Sequence, residues 1–345
     1  TKQPVGRALV RLVHHLFPWW WEALDKRDDP RDEPRYLMRE VICLGVLMFA
    51  GRINSLRGLD RVSDDVRFRD NWCIFSRAHS ETVICSHQMT NVLAAMGPDG
   101  LAAILPGFVR GLHRQKKLQD ALLLRHWMVV SDGTGIFSSS DYHCERCLTQ
   151  THQDGSKTYL HNVLEAKVIT WNGLALSLMH EMQLNPESGK YEKQDCESRA
   201  FERLLPRLKE EFPQQRIVHL VDGGYCNGPA FKAIEDVNHR FICCFKPGSI
   251  PTLYQEALTL CQLNPHNRIA RALGAKPHRT VQEFQWVNDL DYAGMRLDFV
   301  ICRETVGGET KTFAWLTNWR NIPLPDDLYD PYQPRFQIRF GRAPT

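Results

Sequence analysis

The spacing of apolar residues changes near Trp127, and this change divides the chain into a helical part and a β-rich part. Before it, apolar residues recur at helical intervals, as in VGRALVRLVHHLF and ETVICSHQMTNVLAAM. After it, short runs of Val, Ile and Leu end at Gly, Asn or Pro, which is typical of strands. We therefore expect an α/β chain (α+β overall) with a helical N-terminal region.

The segment that follows Trp127 predicts three strands and then alternating helices and strands. The predicted elements are strands 127–138, 158–170 and 174–184, helix 195–212, strand 216–222, helix 228–237 and strand 240–246. Beyond residue 250, TLYQEALTLCQL predicts a helix, and VQEFQWVND, RLDFVICRE and KTFAWLTN predict strands. The expected domains are a helical region 1–125, a core 126–250, a β-rich insertion or extension 251–320 and an irregular tail 321–345.

Composition narrows the class of protein without deciding it. The chain has 345 residues, and its formal net charge of +3 permits a local phosphate-binding face without requiring a polyanionic partner. Eleven cysteines without a secretory leader indicate a reducing compartment, so we expect the cytoplasm. The most apolar run, VICLGVLMFAG, is too short to span a bilayer, so we interpret it as a buried helix and expect no membrane segment.

Two aspartates follow apolar strand segments in the same way. Asp132 lies in WMVVSDGTGIFSSS, and Asp222 lies in IVHLVDGGYCNGPAF. A carboxylate at the end of a buried strand is rigid and accessible to water, which suits Mg²⁺ or Mn²⁺. The alternative from the residues alone is that both are Asp-Gly turn residues that cap strands.

A cluster of possible zinc ligands occurs in YHCERCLTQTH. Cys144, Cys147 and His152 are the candidate ligands, and His143 and His161 are possible fourth ligands. Such an ion would hold the loop between the first two predicted strands. The alternative is a pair of ordinary free thiols, because a second Cys-x-x-Cys is missing.

The segment SRAHSETVICSHQMTNVLAAM predicts a turn and then a helix capped by Ser80. Arg77, His79, His87 and Gln88 are candidates for contacts with phosphates or base edges in a helix-turn-helix arrangement. A plain helical bundle with a solvated face fits the same residues.

The chain resembles insertion-sequence transposases of the DDE class, which have an RNase H-like catalytic domain. The segments that carry the resemblance lie between about residue 37 and residue 320, in the family's order: VVSDGTGIFSS, HCERC, KTYLHNVLEAKVI, ALSLMHEMQLNPE, KQDCESRAFERL, LVDGGYCNGPAF, WVNDLDYAG and FAWLTN. The predicted order of three strands, a helix, a strand and a helix is also that of the RNase H-like fold, a mixed sheet flanked by helices.

The resemblance implies metal-dependent DNA strand cleavage and transfer, with Asp132 and Asp222 as the first two acidic ligands of Mg²⁺ or Mn²⁺. It implies double-stranded DNA as the partner, both terminal inverted repeats and target DNA, and a homo-oligomer in the active state. Glu165, Asp195 and Glu197 also lie in family-like segments. We interpret Glu165 as a strand-face charge and the other two as acids of a helix N-terminal turn.

The family's third catalytic carboxylate is a Glu on a helix after the LTN strand, but no Glu follows Glu309 here. Three prolines, Pro331, Pro334 and Pro344, oppose a helix in the tail. We therefore expect a chain truncated or altered near Asp327 that is not a competent transposase by itself. The opposing hypothesis is that Asp326, Asp327 or Asp330 supplies the third ligand.

Two other functions fit the same residues. One is a catalytically inactive transposase remnant that only binds DNA or partner subunits. The other is a metal-dependent nuclease without strand transfer.

Overall fold

The computed structural model describes residues 5–27, 29, 31–80, 82–102, 104–186, 191–274 and 279–320, with only the backbone described for 97–101. Two compact units divide the chain, Thr1–Lys117 and Leu118–Thr345. The predicted tail 321–345 lies outside the described residues. In the part of the chain described, no helix is long and apolar enough to cross a membrane.

The described part of the first unit is helical. The helices are α1 (Val5–Leu16), α2 (Trp20–Asp25), α3 (Met38–Ala50), α4 (Leu56–Val62), α5 (Val66–Ser76), α6 (Ser86–Ala102) and α7 (Leu105–Arg114). Helix α3 contains most of VICLGVLMFAG, and six residues of that run are buried, which confirms its interpretation as a buried helix. The indole of Trp21 donates to the carbonyl of Phe75 across this core at 3.0 Å.

The start of α6 corrects one sequence prediction. The helix begins at Ser86, whereas the pattern placed its cap at Ser80. The side chain of Asp60, in α4, accepts hydrogen bonds from the backbone N–H of Ser86 at 2.8 Å and from its hydroxyl at 2.5 Å. An acceptor from another helix therefore satisfies this N-terminus, and the Ser80 hydroxyl accepts only from the nearby Thr82 N–H.

The second unit contains the β-strands and three further α-helices. The strands are β1 (Leu122–Leu123), β2 (His126–Ser139), β3 (Leu148–Thr151), β4 (Lys157–Ile169), β5 (Ala175–Gln183), β6 (Ile217–Val221), β7 (Arg240–Cys244), β8 (Arg268–Leu273), β9 (Thr280–Tyr292), β10 (Met295–Val306) and β11 (Glu309–Thr317). The helices are α8 (Glu197–Glu211), α9 (Gly228–Asp236) and α10 (Pro251–Leu263). Every strand and helix predicted from 127 onward is present, whereas β1, β3 and β8 were not predicted.

These strands form one mixed sheet in the described part of the chain, in the order β3-β4-β2-β6-β7-β11-β10-β9-β8, and β5 also pairs with β4. The pairs β2–β6 and β6–β7 are parallel, whereas β2–β4, β4–β5 and β7–β11 are antiparallel. The expected α/β class is therefore confirmed. The strands of 251–320 extend the sheet that contains β2 and β6.

Strand β6 lies within this sheet, between β2 and β7. All five of its residues, IVHLV, are buried, as expected for a parallel strand covered on both faces. Helix α8 buries Phe201, Leu204 and Leu208, and the Phe201 ring packs edge-on against His219 of β6. This packing holds β6, the strand that Asp222 directly follows, against α8.

Candidate functional site

Asp132 and Asp222 lie at neighbouring positions of two parallel strands. The β2–β6 register ends with the pair Val130 and Leu220, and each aspartate lies two residues further along its own strand direction. Neighbouring strands are about 4.8 Å apart, so the two backbones bring these residues together at one place in the sheet. Both aspartates are partly exposed.

The two aspartates differ in local structure. Asp222 directly follows β6, and its side chain accepts a hydrogen bond from the Gly224 N–H at 2.8 Å, which caps a 3-10 turn. Asp132 lies inside β2, where it pairs across the strands with Glu165. The interpretation of both residues as Asp-Gly turns therefore describes Asp222 but not Asp132.

Two other acids from the sequence pattern have local ion-pair partners. Glu165 contacts Lys167 at 2.9 Å on the same strand. Asp195 contacts Arg203 at 2.7 Å and accepts from the Leu184 N–H at 3.1 Å. Although burial opposes it, the hydrogen bond from Arg203 lowers the pKa of Asp195. The contact of Glu165 agrees with its expected role as a strand-face charge. Asp195 does not lie in the first turn of α8, because it precedes the N-cap residue Cys196; it has a structural role through its ion pair with Arg203 instead.

Glu197 occupies a different position from the one that the sequence indicates. It begins α8, as expected for a first-turn acid. Its carboxylate, however, lies over Gly133, the residue that follows Asp132 in β2. A Cβ at Gly133 would be 2.5 Å from Glu197 Oε2, so only glycine leaves room for the carboxylate in this position.

Tyr225 is the hydrogen-bond partner of Glu197. The buried tyrosine hydroxyl donates to Glu197 Oε1 at 2.5 Å. Burial, the bond to Glu197, and the charges of Asp222 and Asp132 all raise the pKa of Tyr225, so its hydroxyl keeps the proton that it donates. The sequence analysis did not predict the contact between Tyr225 and Glu197. The glycine that follows Asp132 is the local signal that another side chain approaches β2 closely at this position.

A second group of side chains is formed by Cys144, Cys147 and His161. The two Sγ atoms are 3.7 Å apart, and His161 Nε2 lies 3.3 Å from Cys144 Sγ and 3.2 Å from Cys147 Sγ. Within the described residues, this is the one group of three or more His, Cys, Asp or Glu whose ligand atoms all lie within 4.8 Å. The carboxylate oxygens of Asp132, Asp222 and Glu197 are therefore not all within 4.8 Å of one another.

The structure places His161, rather than His152, beside the two cysteines. His152 Nε2 instead lies 2.7 Å from the Thr158 hydroxyl, and His143 stacks on Tyr159. The reason is the β3–β4 register, which pairs Leu148 with Leu160 and so brings the preceding Cys147 beside His161.

The four candidate DNA-contacting residues lie near the start of α6. Arg77 ends α5 with φ 58°, and its guanidinium lies 4.3 Å from the ring centroid of Trp21. His79 is exposed before α6, whereas His87 and Gln88 are on its first turn. His87 contacts Asn91, and Gln88 accepts from the Cys85 thiol at 3.5 Å. These contacts are compatible with a helix-turn-helix arrangement and equally with a plain helical bundle.

The proposed substitutes for a third ligand, Asp326, Asp327 and Asp330, lie outside the described residues.

No protein-family model matches the sequence, and no curated protein matches it. The residues and their geometry are therefore the basis for a proposed function.

Proposed function

We propose that this chain is a DDE-type transposase, with a centre for metal-dependent DNA strand cleavage and transfer at Asp132 and Asp222. The observation that carries the proposal is the position of the two aspartates, each two residues beyond the last paired residues of neighbouring parallel strands. The pairing of β2 with β6 thus positions the two backbones next to each other.

The arrangement around the aspartates supports an RNase H-like core. Three strands (β2, β4, β5), helix α8, strand β6 and helix α9 follow one another in the order of that fold. Strands β2 and β6 are the first and fourth of the five principal strands, and they are neighbours in the sheet. The resemblance expected Asp132 and Asp222 on these strands.

The donors at this place fit a hard divalent cation. Asp132 and Asp222 offer carboxylate oxygens, and Mg²⁺ in enzymes is commonly held by one or two carboxylates together with waters and substrate phosphates. A loose group suits such an ion better than a closed cage of protein ligands. When bound, Mg²⁺ or Mn²⁺ would supply Lewis-acid stabilisation of the charge that develops on the scissile phosphate.

Glu197 supports the strand that carries Asp132. Tyr225 donates to one of its oxygens, while the absence of a side chain at Gly133 leaves space for the other. Successive residues of a strand face opposite sides of the sheet, so Glu197 contacts the side of β2 opposite to the Asp132 side chain. We include Glu197 as a positioning residue for β2 and not as a metal ligand.

The helical unit would supply recognition of the DNA ends. His79 and His87 are exposed near the start of α6, and Gln88 lies on the same first turn. Exposed polar side chains at the start of a helix are the groups that reach base edges in helix-turn-helix proteins. The partners in this proposal are terminal inverted repeats, target DNA and a second copy of the chain.

The test is cleavage and joining by the purified full chain, and robust strand transfer by this chain alone would show that the expectation of an incompetent chain, drawn from the missing Glu, is wrong. The substrate is duplex DNA that carries the terminal repeats of the element encoding the chain, with Mg²⁺ or Mn²⁺ added. Asp132→Asn and Asp222→Asn should each reduce cleavage by about a thousandfold or more, because each removes a charged ligand with little change in volume. DNA binding, measured by fluorescence anisotropy, should stay nearly unchanged.

Asp236→Asn is the matched control, because Asp236 is an exposed acid at the end of α9 whose partner is Lys232 at 3.5 Å. It should cleave like the unmodified chain. Full cleavage by Asp132→Asn or Asp222→Asn would refute the assignment. Cleavage without joining would indicate a nuclease, and DNA binding without cleavage would indicate an inactive remnant; either result would overturn the proposal of a transposase.

A further inference from the structure

The second ligand group lies well away from the proposed centre. His161 pairs with Phe137 across β2 and β4, five positions along β2 from Asp132. At about 3.3 Å per residue, this separates the two places by about 17 Å. The group of Cys144, Cys147 and His161 therefore needs an explanation of its own.

The distances within the group match the edges of a zinc coordination tetrahedron. With Zn–S of about 2.3 Å and Zn–N of about 2.05 Å, a tetrahedral ion places two sulfurs about 3.8 Å apart and a sulfur and a nitrogen about 3.6 Å apart. The observed separations are 3.7 Å between the sulfurs and 3.2 and 3.3 Å from the nitrogen to the sulfurs. A disulfide is excluded, since it needs about 2.05 Å between the sulfurs.

The turn that carries the two cysteines presents both sulfurs to one side. The Cys144 N–H donates to Cys147 Sγ at 3.3 Å, and the Cys147 N–H donates to the Cys144 carbonyl at 3.2 Å. The Asn185 amide donates to the Cys147 carbonyl at 2.8 Å, and the Asn185 N–H donates to the Arg146 carbonyl at 3.0 Å. A fully buried side chain outside the turn therefore holds it in place.

His161 directs one nitrogen to the cysteines. Its Nε2 contacts both sulfurs, while its buried Nδ1 has no hydrogen-bond partner among the described residues. A proton on Nδ1 leaves the Nε2 lone pair for a ligand, which is the tautomer that a metal-binding histidine of this kind requires.

We propose that Cys144, Cys147 and His161 bind one Zn²⁺, with the fourth position open to water or an exogenous ligand. Two thiolates and an imidazole favour zinc over Mg²⁺ or Ca²⁺, which take oxygen ligands. The ion joins the turn before β3 to the middle of β4, so it fixes the segment that follows β2. His152 takes no part.

Metal analysis of the full chain, purified without chelator, tests this proposal. We expect about one zinc per chain and a stoichiometry near zero for His161→Ala, whereas His152→Ala, the matched control, should keep its zinc. The second variant is Cys144→Ser. Cys144 is exposed whereas Cys147 is buried, so replacing Cys144 disturbs folding less than replacing Cys147.

Cobalt substitution gives a readout that does not depend on activity. Co²⁺ added to the chelator-treated chain should produce a thiolate-to-metal charge-transfer band that weakens in Cys144→Ser and disappears in His161→Ala with Cys144→Ser. A folded chain that contains no metal, zinc retained by His161→Ala, or equal losses in His161→Ala and His152→Ala would overturn the proposal. Copurification of a different metal would overturn the assignment to zinc.

Discussion

Acidification should destabilise the second unit through a buried histidine pair, His219 and His239. His219 lies in β6 and His239 precedes β7, and both are nearly inaccessible to solvent. His219 Nε2 and His239 Nδ1 are 3.0 Å apart, whereas the other ring nitrogen of each is buried without a hydrogen-bond partner in the described structure. The pair therefore folds with both rings neutral.

The direction of the effect follows from the two pKa values. Burial, with smaller contributions from Lys209 and His126, lowers the pKa of His239 from 6.5 to about 4. Burial and the neighbouring His239 lower the pKa of His219. The unfolded chain binds more protons than the folded chain below pH 6.5, so stability is present at neutral pH and is lost as pH falls from about 6.5 to 4.

The magnitude can be worked out for one histidine. With a folded pKa of about 4 and an unfolded pKa of 6.5, moving from pH 7 to pH 5 lowers the free energy of unfolding by about 2 kcal/mol. The lowered pKa of His219 acts in the same direction, so the value of about 2 kcal/mol belongs to His239 alone. The stability of an ordinary domain is about 5–15 kcal/mol, so the loss at His239 is already a substantial part of it.

The assay is urea denaturation at pH 7 and pH 5 for the unmodified chain and for His219→Leu with His239→Leu. Replacing both members of a buried polar pair by apolar residues of similar size costs little, so the double variant should fold. Contributions from all other groups cancel in the difference between the two chains. If both chains lose the same free energy between the two pH values, the reasoning is wrong.

Three further predictions concern the proposed centre and the DNA-binding helix. Tyr225→Phe should lower the free energy of unfolding by about 1.5–3 kcal/mol in urea denaturation, because it removes a buried hydrogen bond to a carboxylate. Gly133→Ala should cost less in the Tyr225→Phe background than in the unmodified chain, because its Cβ displaces the same Glu197 carboxylate; additive losses would contradict this shared contact. His87→Ala should weaken binding of terminal-repeat duplex about tenfold and leave random duplex nearly unaffected, as fluorescence anisotropy would show, and equal losses would exclude a specific contact.

The proposed zinc ligands show what the spacing of Cys and His in the sequence leaves undecided. Cys-x-x-Cys with the nearest downstream histidine favoured His152, but β3 and β4 form a hairpin around Asp154 and Gly155. An Asp-Gly turn between two strand-like runs is a hairpin signal, but counting outward from a two-residue turn at Asp154 and Gly155 pairs Cys147 with Asn162. The observed register is centred on Asp154 instead, and it places Cys147 opposite His161. The turn signal therefore indicates the hairpin, whereas only the observed register selects His161.

The start of α6 was not predictable from the local sequence. Ser80 satisfies the preference for a capping serine, yet the helix begins at Ser86 because Asp60 of α4 supplies the acceptor. Similarly, Glu197 has the local position of a helix-dipole acid, and only its contacts with Tyr225 and Gly133 place its carboxylate against β2. In both cases, the deciding partner lies more than 20 residues away in the chain.

The amino-acid sequence by itself determined the three α-helices of the second unit and its strands other than β1, β3 and β8, and it placed Asp132 and Asp222 on predicted strands. This is possible because alternation between buried and exposed residues is a local property of each element. The tertiary structure decided the order of strands in the sheet, the meeting of Glu197 with Tyr225, and the choice of His161 over His152. These depend on strand order and register, which bring together residues that are distant in the chain and which the period of a single segment does not specify.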